Sequence, residues 1–449
     1  MAQLHSCLNN DSMLAEQEDK VQRPDTVKNM LYQRHLISNS HRKWIVILIL
    51  FTTWLFWLLW YLNTRTSKVK QYGDLIVLPQ EHAKLKGAYC LDGSAPGYYF
   101  RKGSGNGRKS WVIYLQGGGW CFSISECYER SFTNFGSSDE FPPQYSFDGF
   151  LSNDARTNPD FYNWNVAYFA YCDGASFAGN VDKPVKINGR NIYFRGKRIL
   201  DLLLDHLLEH GLSKADRVIL SGVSAGGLAT FIHADYIRSR LPQSVNFCAF
   251  PDAGYFPDVK NITNFQHIRG MYQKVFKLQE VQGSLNKDCL AALGNDPWKC
   301  FFPQYSHSFI KTRMFILNSA YDYWTMWFII HLRCHPSLCN IQSKNYYSVY
   351  YKDFMNIAKH LYDSAKDGVY TSSCYAHSQA AFDREWFTVL VNGTTPQKAF
   401  SDWYFGRKSV QESKYWDCTT PACNPTCDWS VDFYVKVTSR LKETNDFYV

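Results

Sequence analysis

The chain has 449 residues, of which 45% are hydrophobic and 17% aromatic, and a formal net charge of +8. This composition excludes a disordered or fibrous protein and predicts a folded chain with a large core. No basic run is interleaved with aromatic residues, so the sequence gives no indication of a nucleic-acid partner.

The first predicted element is a membrane helix at residues 44–62, a stretch without charge that lies between His41-Arg42-Lys43 and Arg65. Its length at 1.5 Å per residue just spans a bilayer core, and aromatic rings cluster towards its ends. A cleaved signal peptide is the alternative, but ~40 mostly polar residues precede the run and no small-residue cleavage pattern follows it. We therefore expect a disordered cytosolic tail at 1–43, a transmembrane signal-anchor at 44–62, a stem at 63–87 and a catalytic domain at 88–449.

The cysteines indicate where that domain folds. Of 14 cysteines only Cys7 precedes the apolar run, and such a density beyond it is typical of an oxidising compartment. We expect local disulfides in the close pairs Cys121/Cys127, Cys289/Cys300 and Cys334/Cys339. Because 13 cysteines follow the apolar run, an odd number, at least one of their thiols is predicted to be free or paired between chains.

Two sequons, Asn261-Ile-Thr263 and Asn392-Gly-Thr394, are predicted glycosylation sites. Together with the cysteines and the apolar run, they predict a single-pass type II membrane protein of the Golgi or cell surface. Its catalytic domain would be lumenal or extracellular, and its membrane contact would be the one N-terminal helix.

Short apolar runs alternate with helical patterns along the rest of the chain. The segment Gly196–Gly211 is predicted to be a helix, because its leucines fall on one face. This alternation predicts an α/β fold with a mostly parallel sheet and helices on both faces. The strand candidates are Trp111–Leu115, Val166–Tyr171, Val218–Leu220, Ser244–Phe250 and Met314–Leu317.

The segment Gly222-Val-Ser224-Ala-Gly226 follows one of these strands and precedes a helical stretch. A G-x-S-x-G sequence in this context is typical of a nucleophile elbow, in which a tight strand-to-helix turn exposes the serine hydroxyl. The pattern is short enough to occur by chance, so the prediction of Ser224 as a nucleophile depends on partners elsewhere in the chain.

An acid and a base should follow the serine in that order. Asp322 follows the candidate strand that ends at Leu317, and His377 lies in a loop of small residues. A solvated turn aspartate is the structural alternative for Asp322, and His307, His331 and His335 compete with His377 as the base.

A glycine run after the first candidate strand, Gln116-Gly-Gly-Gly-Trp120, is typical of a loop that presents backbone amides to an oxyanion. We expect the oxyanion hole to consist of the amides of Gly119, Trp120 and Ala225. A flexible loop is the plain alternative for such a run.

Taken together, these motifs resemble the pectin acetylesterase family, which also includes the Notum carboxylesterases. The similarity covers about residues 88–430 and looks closer to the plant-type members. It rests on these matching stretches, among others: Tyr89-Cys-Leu-Asp-Gly-Ser-Ala-Pro-Gly97, Leu115-Gln-Gly-Gly-Gly-Trp-Cys121, Tyr171-Cys-Asp-Gly-Ala-Ser-Phe177, Asp252-Ala-Gly254, Ala320-Tyr-Asp322, Ser373-Cys-Tyr-Ala-His377 and Cys423-Asn-Pro-Thr-Cys427.

The resemblance implies an α/β-hydrolase-like, disulfide-rich fold and carboxylic-ester hydrolysis by Ser224, Asp322 and His377, without metal or cofactor. Gln116 departs from it, because the family usually has glutamate at that position. The expected activity is removal of O-acetyl groups from pectin or a related cell-wall polysaccharide through an acyl-enzyme. The alternatives are a Notum-like deacylase acting on a fatty-acylated secreted protein and a polysaccharide-binding protein without catalysis.

Overall fold

A ten-stranded mixed sheet organises the domain in the computed structural model, which describes residues 43–58, 72–336, 338–381, 383–420 and 423–428. Seven neighbouring strands are parallel, in the order β12-β11-β10-β9-β8-β3-β5, and antiparallel β2, β1 and β4 complete one edge. The strands of this sheet are β1 (Tyr72–Val77), β2 (Gly97–Arg101), β3 (Ser110–Leu115), β4 (Gln144–Ser146), β5 (Asn165–Phe169), β8 (Arg217–Val223), β9 (Asn246–Asp252), β10 (Phe315–Ser319), β11 (Gly368–Ser372) and β12 (Lys414–Trp416).

A separate hairpin is formed by β6 (Val185–Ile187) and β7 (Arg190–Ile192). The helices lie in the connections between strands, except for the first, which precedes them all. They are α1 (43–58), α2 (Gln80–Lys86), α3 (Ile124–Arg130), α4 (Gly196–Glu209), α5 (Ala225–Arg240), α6 (His267–Leu278), α7 (Lys287–Ala292), α8 (Pro303–Ser306), α9 (Ile341–Tyr362), α10 (Asp383–Thr388) and α11 (Pro396–Tyr404).

The predicted strands and the predicted helix are present, with ends that differ by a few residues. The central strands β3, β5 and β8 are buried almost throughout, as expected for parallel strands that are covered on both faces. In α4, the leucine stripe lies in the core, with Leu203, Leu204 and Leu207 buried. The fold is therefore the expected α/β arrangement with a mostly parallel sheet.

The stem predicted for residues 63–87 is too long. Strand β1 pairs with both β2 and β4, and α2 follows it directly. The folded domain thus includes residues that were assigned to the stem, because Tyr72–Val77 is a short strand without a strong alternating pattern. Residues 63–71 lie outside the described part of the chain.

Helix α1 contains most of the run that was predicted to cross a membrane and belongs to a different compact unit from the sheet domain. Its apolar side chains are exposed within that unit, Trp44 by 67% and Phe56 by 76%. Among the described residues, no helix is long and apolar enough to span a bilayer. Residues 59–62, and residues 1–42 of the tail predicted at 1–43, lie outside the described residues.

Six disulfides join described residues of the domain, including the three predicted local pairs. The others are Cys90–Cys172, Cys374–Cys427 and Cys418–Cys423. The unpaired thiol among the described cysteines is that of Cys248, buried in β9. Such a disulfide content is consistent with a protein of the secretory pathway or the extracellular space.

Candidate active site

Ser224 occupies the sharp turn between β8 and α5, with φ 57° and ψ −123°. A non-glycine residue with positive φ costs of order 1–3 kcal/mol, so the surrounding structure must enforce the turn. A Cβ atom at Gly226 would collide with the carbonyl oxygens of Leu115 and Gln116, which explains why glycine is required there. The G-x-S-x-G sequence therefore forms the strand–turn–helix geometry of a nucleophile elbow.

Asp322 and His377 lie in loops that follow the neighbouring parallel strands β10 and β11. The two side chains are buried and hydrogen-bonded, with 2.5 Å between His377 Nδ1 and Asp322 Oδ2. The other carboxylate oxygen, Oδ1, accepts a hydrogen bond of 2.8 Å from the amide of Thr325. A carboxylate held in this way fixes the histidine tautomer and leaves Nε2 free to accept a proton.

Two reactive atoms in the site have no hydrogen-bond partner among the described residues. They are Ser224 Oγ and His377 Nε2, and both are buried. Buried polar atoms are normally paired, so unpaired ones require an explanation such as a catalytic role. Of the three residues predicted from the sequence, the structure brings Asp322 and His377 into direct contact and places Ser224 at the same edge of the sheet.

Asp252 connects the serine turn to the histidine loop. Its backbone oxygen accepts a hydrogen bond of 3.0 Å from the amide of Ser224. Its carboxylate accepts hydrogen bonds from the amides of Gln379, at 3.1 Å, and Ala380, at 2.7 Å, just beyond His377. Burial raises the pKa of this carboxyl to about 7, against the opposing effect of the two amides.

The glycine-rich loop after β3 lies directly against the serine turn. A Cβ atom at Gly117 would stand 2.9 Å from Cβ of Ser224, and Gly118 and Gly119 both have positive φ. No hydrogen bond from the amides of Gly119 and Trp120 to another described residue is present. These amides, with that of Ala225 at the N-terminus of α5, are available to a negatively charged ligand atom.

Gln116 shows how the chain accommodates its departure from the family pattern. Its side-chain oxygen accepts a hydrogen bond of 2.9 Å from the amide of Tyr171. A neutral amide therefore supplies an acceptor between the ends of β3 and β5.

The competing histidines have other environments. His307 is buried against Asp367, with 3.1 Å between Nε2 and Oδ2. This pair lies where β10 and β11 begin, at the end of the strands opposite to Asp322 and His377. His331 contacts Asn261, and the ring of His335 lies against Tyr375. Of the four candidate histidines, His377 is the one that lies against Asp322.

The two sequons differ in accessibility. Asn261 is 4% exposed, and its side-chain oxygen accepts hydrogen bonds from the amides of Thr263 and Phe265. Asn392 is exposed in a turn. No group of three or more His, Cys, Asp or Glu side chains within the described ranges is arranged to hold a metal ion.

Sequence reasoning missed the residues that support the site. Asp252 ends a buried strand within one of the motifs that carried the resemblance, which was a usable signal. Tyr171 begins another of these motifs, whereas Arg130 lies in none of those quoted. Both contact the glycine-rich loop, and no spacing rule connects them to it.

Comparison with solved structures defines the class of fold. The Wnt deacylase Notum from Drosophila superimposes with a TM-score of 0.69 at 22% sequence identity, over 80% of this chain and all of that chain. At this identity the likeness is one of fold, and it agrees with the α/β architecture described above.

Sequence comparison assigns the family. The model of the Pectinacetylesterase family matches residues 67–428, so this chain belongs to that family. Pectin acetylesterase 5 of Arabidopsis thaliana is 37% identical over 81% of this chain and 87% of its own length. The palmitoleoyl-protein carboxylesterase NOTUM of Schmidtea mediterranea is 28% identical, over 76% of this chain and 64% of its own length. The chain is therefore a carboxylic ester hydrolase, and of these two relatives it is more similar to the plant one.

Proposed function

We propose that this enzyme removes O-acetyl groups from pectin or a related cell-wall polysaccharide through an acyl-enzyme. Ser224 Oγ attacks the acetyl carbonyl carbon while His377 Nε2 accepts its proton. The amides of Gly119, Trp120 and Ala225 stabilise the oxyanion that forms. His377 then protonates the leaving sugar oxygen, and water attacks the acetyl-serine to release acetate.

The observation that carries this proposal is the pairing of Asp322 with His377 Nδ1 beside the strained turn of Ser224. Both atoms that would exchange the proton, Ser224 Oγ and His377 Nε2, are buried and have no hydrogen-bond partner among the described residues. A buried serine and histidine with a purely structural role would be expected to have their polar atoms satisfied.

Aromatic side chains pack around the base. Trp120 packs edge to face against Phe256 and Trp324, whose rings lie 6.5 Å and 6.4 Å from the ring of His377. The comparison of substrates described below decides which length of acyl group the site accepts.

The first test compares Ser224→Ala with Ser221→Ala. Ser221 is a matched control because it is a buried serine of the preceding strand β8, with a hydroxyl that donates to the Phe250 carbonyl at 2.7 Å. We expect Ser224→Ala to lower kcat/KM on an acetyl ester by at least 10³-fold, since a nucleophile has no substitute. Undiminished turnover in Ser224→Ala would reject the mechanism.

The second test concerns the substrate. Acetate release from acetylated pectin, xylan and mannan should exceed hydrolysis of long-chain acyl esters. Turnover of long-chain esters alone would instead favour the deacylase activity named for the Notum relatives. Failure of a fluorophosphonate to label Ser224 would favour a polysaccharide-binding protein without catalysis.

We further propose that residues 44–62 anchor the enzyme in a secretory-pathway membrane as a type II protein, and that Asn392 is glycosylated. The absence of charge from that run supports the first proposal, and the exposure of Asn392 supports the second. Extraction of the full chain by alkaline carbonate would contradict the anchor, and an unchanged mobility of Asn392→Gln after expression in a secretory host would contradict the glycan.

A further inference from the structure

Two side chains donate hydrogen bonds to the carbonyl oxygens of the glycine-rich loop. Arg130 Nη1 lies 2.7 Å from the oxygen of Gly118, and the Tyr171 hydroxyl lies 2.8 Å from the oxygen of Gly119. The carbonyl of Gly118 shares a peptide group with the N–H of Gly119, and the carbonyl of Gly119 shares one with the N–H of Trp120. The oxygens of both peptide groups that would supply oxyanion donors from this loop are therefore hydrogen-bonded.

A hydrogen bond at the oxygen of a peptide group makes its N–H a better donor. Chains of hydrogen bonds polarise one another, by about 10–30% per bond in condensed-phase estimates, and a charged donor has a larger effect than a neutral one. The polarisation is in place before substrate binds, so it requires no reorganisation when negative charge develops.

The surroundings of Arg130 indicate a use for its charge. Its side chain is fully buried at the end of α3, where Nε donates to the carbonyl of Phe135 at 2.9 Å. Its guanidinium faces the rings of Phe135 and Tyr171 at 5.2 Å and 5.0 Å. Burial raises the pKa of the neighbouring Asp173 carboxyl to about 7, and the charge of Arg130 opposes this increase. A buried cation is costly, and a neutral donor would be enough merely to brace a loop.

The orientation of the Tyr171 hydroxyl is fixed as well. Its oxygen accepts a hydrogen bond of 2.9 Å from the amide of Ser176, so its own proton is directed at the carbonyl of Gly119. The Ser176 hydroxyl in turn accepts a hydrogen bond of 2.8 Å from the indole N–H of Trp120. The disulfide Cys121–Cys127 joins the end of the loop to α3, which carries Arg130.

We infer that Arg130 and Tyr171 are positioning residues that polarise the Gly118–Gly119 and Gly119–Trp120 peptide groups and so strengthen the oxyanion donors. This inference rests on the proposed function. It predicts that both side chains matter more when negative charge develops on the acyl oxygen than when substrate binds.

The test uses ¹³C-labelled 1,1,1-trifluoroacetone, which resembles an acetyl group. Ser224 Oγ forms a bond to its carbonyl carbon, the carbonyl π electrons move to oxygen, and the serine proton passes to His377. The adduct is a hemiketal oxyanion, and the pKa of its hydroxyl can be measured by NMR titration. Tyr171→Phe is compared with Tyr370→Phe, a matched control that removes a buried hydroxyl donating to the Thr394 carbonyl at 3.0 Å.

We expect Tyr171→Phe to lower kcat by roughly 5- to 30-fold, less than the loss of a whole donor, with KM nearly unchanged. Affinity for trifluoroacetone should fall by a similar factor and the hemiketal pKa should rise, while Tyr370→Phe changes none of the three. A loss confined to KM, or an unchanged hemiketal pKa, would overturn the inference.

Arg130→Lys and Arg130→Met decide the case if Tyr171→Phe does not fold. The hemiketal pKa should rise more in Arg130→Met, which lacks the charge, than in Arg130→Lys. Equal values in the two variants would overturn the inference. Two different outcomes would reject the proposed function itself: activity that remains in Ser224→Ala, or an unmodified enzyme that forms no adduct.

Discussion

At the scale of single residues, the site depends on buried polar groups whose partners are specific. His233 in α5 is fully buried, and burial lowers the pKa of its imidazole to about 3. Its Nε2 contacts the carbonyl oxygen of Ser176 at 3.2 Å, behind the glycine-rich loop. The imidazole is therefore neutral in the folded protein throughout the mildly acidic range.

The burial of His233 predicts an acid-sensitive stability. Because the folded pKa lies below the unfolded value near 6.5, neutral His233 contributes stability fully above about pH 6.5, and this is lost as the pH falls towards 3. Between pH 7 and pH 5, the loss from this group should be roughly 2 kcal/mol. In denaturant unfolding, the free energy of unfolding of His233→Gln should therefore fall less between pH 7 and pH 5 than that of the unmodified protein, by that amount. His210→Gln, at an exposed histidine, serves as the control and should follow the unmodified protein.

Asp252 supports a second prediction at this scale. In Asp252→Asn, one of the two oxygens that accept from Gln379 and Ala380 becomes an NH₂ group, so one buried amide loses its acceptor. We expect the free energy of unfolding to fall by about 1–3 kcal/mol. We also expect kcat to fall, because the loop that carries His377 is held through these amides. Unchanged kcat together with unchanged stability would show that the link does not matter.

At the scale of elements, the turn between β8 and α5 requires a close approach of backbones that only glycine allows. Gly226 faces the carbonyl oxygens at the end of β3, whereas a Cβ atom at Gly270 in α6 would meet nothing within 4 Å. Substitutions at these two helical glycines therefore distinguish the effect of close packing, at Gly226, from the effect of helix propensity, at Gly270.

We expect Gly226→Ala to lower the free energy of unfolding by roughly 1–3 kcal/mol, because strands or helix must shift to admit the methyl group. Gly270→Ala should instead raise it by about 0.5–1 kcal/mol, since alanine favours the helix. Thermal or denaturant unfolding of the two variants measures both effects. An equal effect of both substitutions would contradict the role of Gly226 in the close approach.

At the scale of the whole molecule, the boundary of the folded domain lies at β1. Strand β1 is the partner of both β2 and β4, so its removal leaves the antiparallel edge of the sheet unpaired. Residues before Tyr72 contribute no strand to the described sheet. The domain should therefore not need the segment that carries the apolar run.

A fragment that begins at residue 70 should fold and retain the esterase activity of the full chain. A fragment that begins at residue 80 lacks β1 and should lose most of its stability or aggregate, because the edge of β2 is exposed. Acetyl-ester hydrolysis and thermal unfolding of the two fragments distinguish these outcomes. Equal behaviour of both would show that β1 is dispensable.

The sequence alone was enough to predict five of the seven parallel strands of the described sheet, α4 and the serine turn, because each depends on local patterns of apolar residues and glycines. It also predicted Asp322 and His377 as partners. Three of the six disulfides between described residues were predicted too, because those cysteines are close in the chain. It missed β11 and the edge strand β12 of the parallel part and the antiparallel strands β1, β2 and β4, and it placed the start of the domain too late.

Only the tertiary structure decided which groups surround the reactive atoms. Asp252, Arg130 and Tyr171 come from three different segments and meet the site through hydrogen bonds to backbone amides and carbonyls. Backbone groups carry no sequence signal, so no residue pattern reveals which side chain will contact them. The sequence determined the chemistry available at the edge of the sheet, and the packing of the loops determined how that chemistry is held in place.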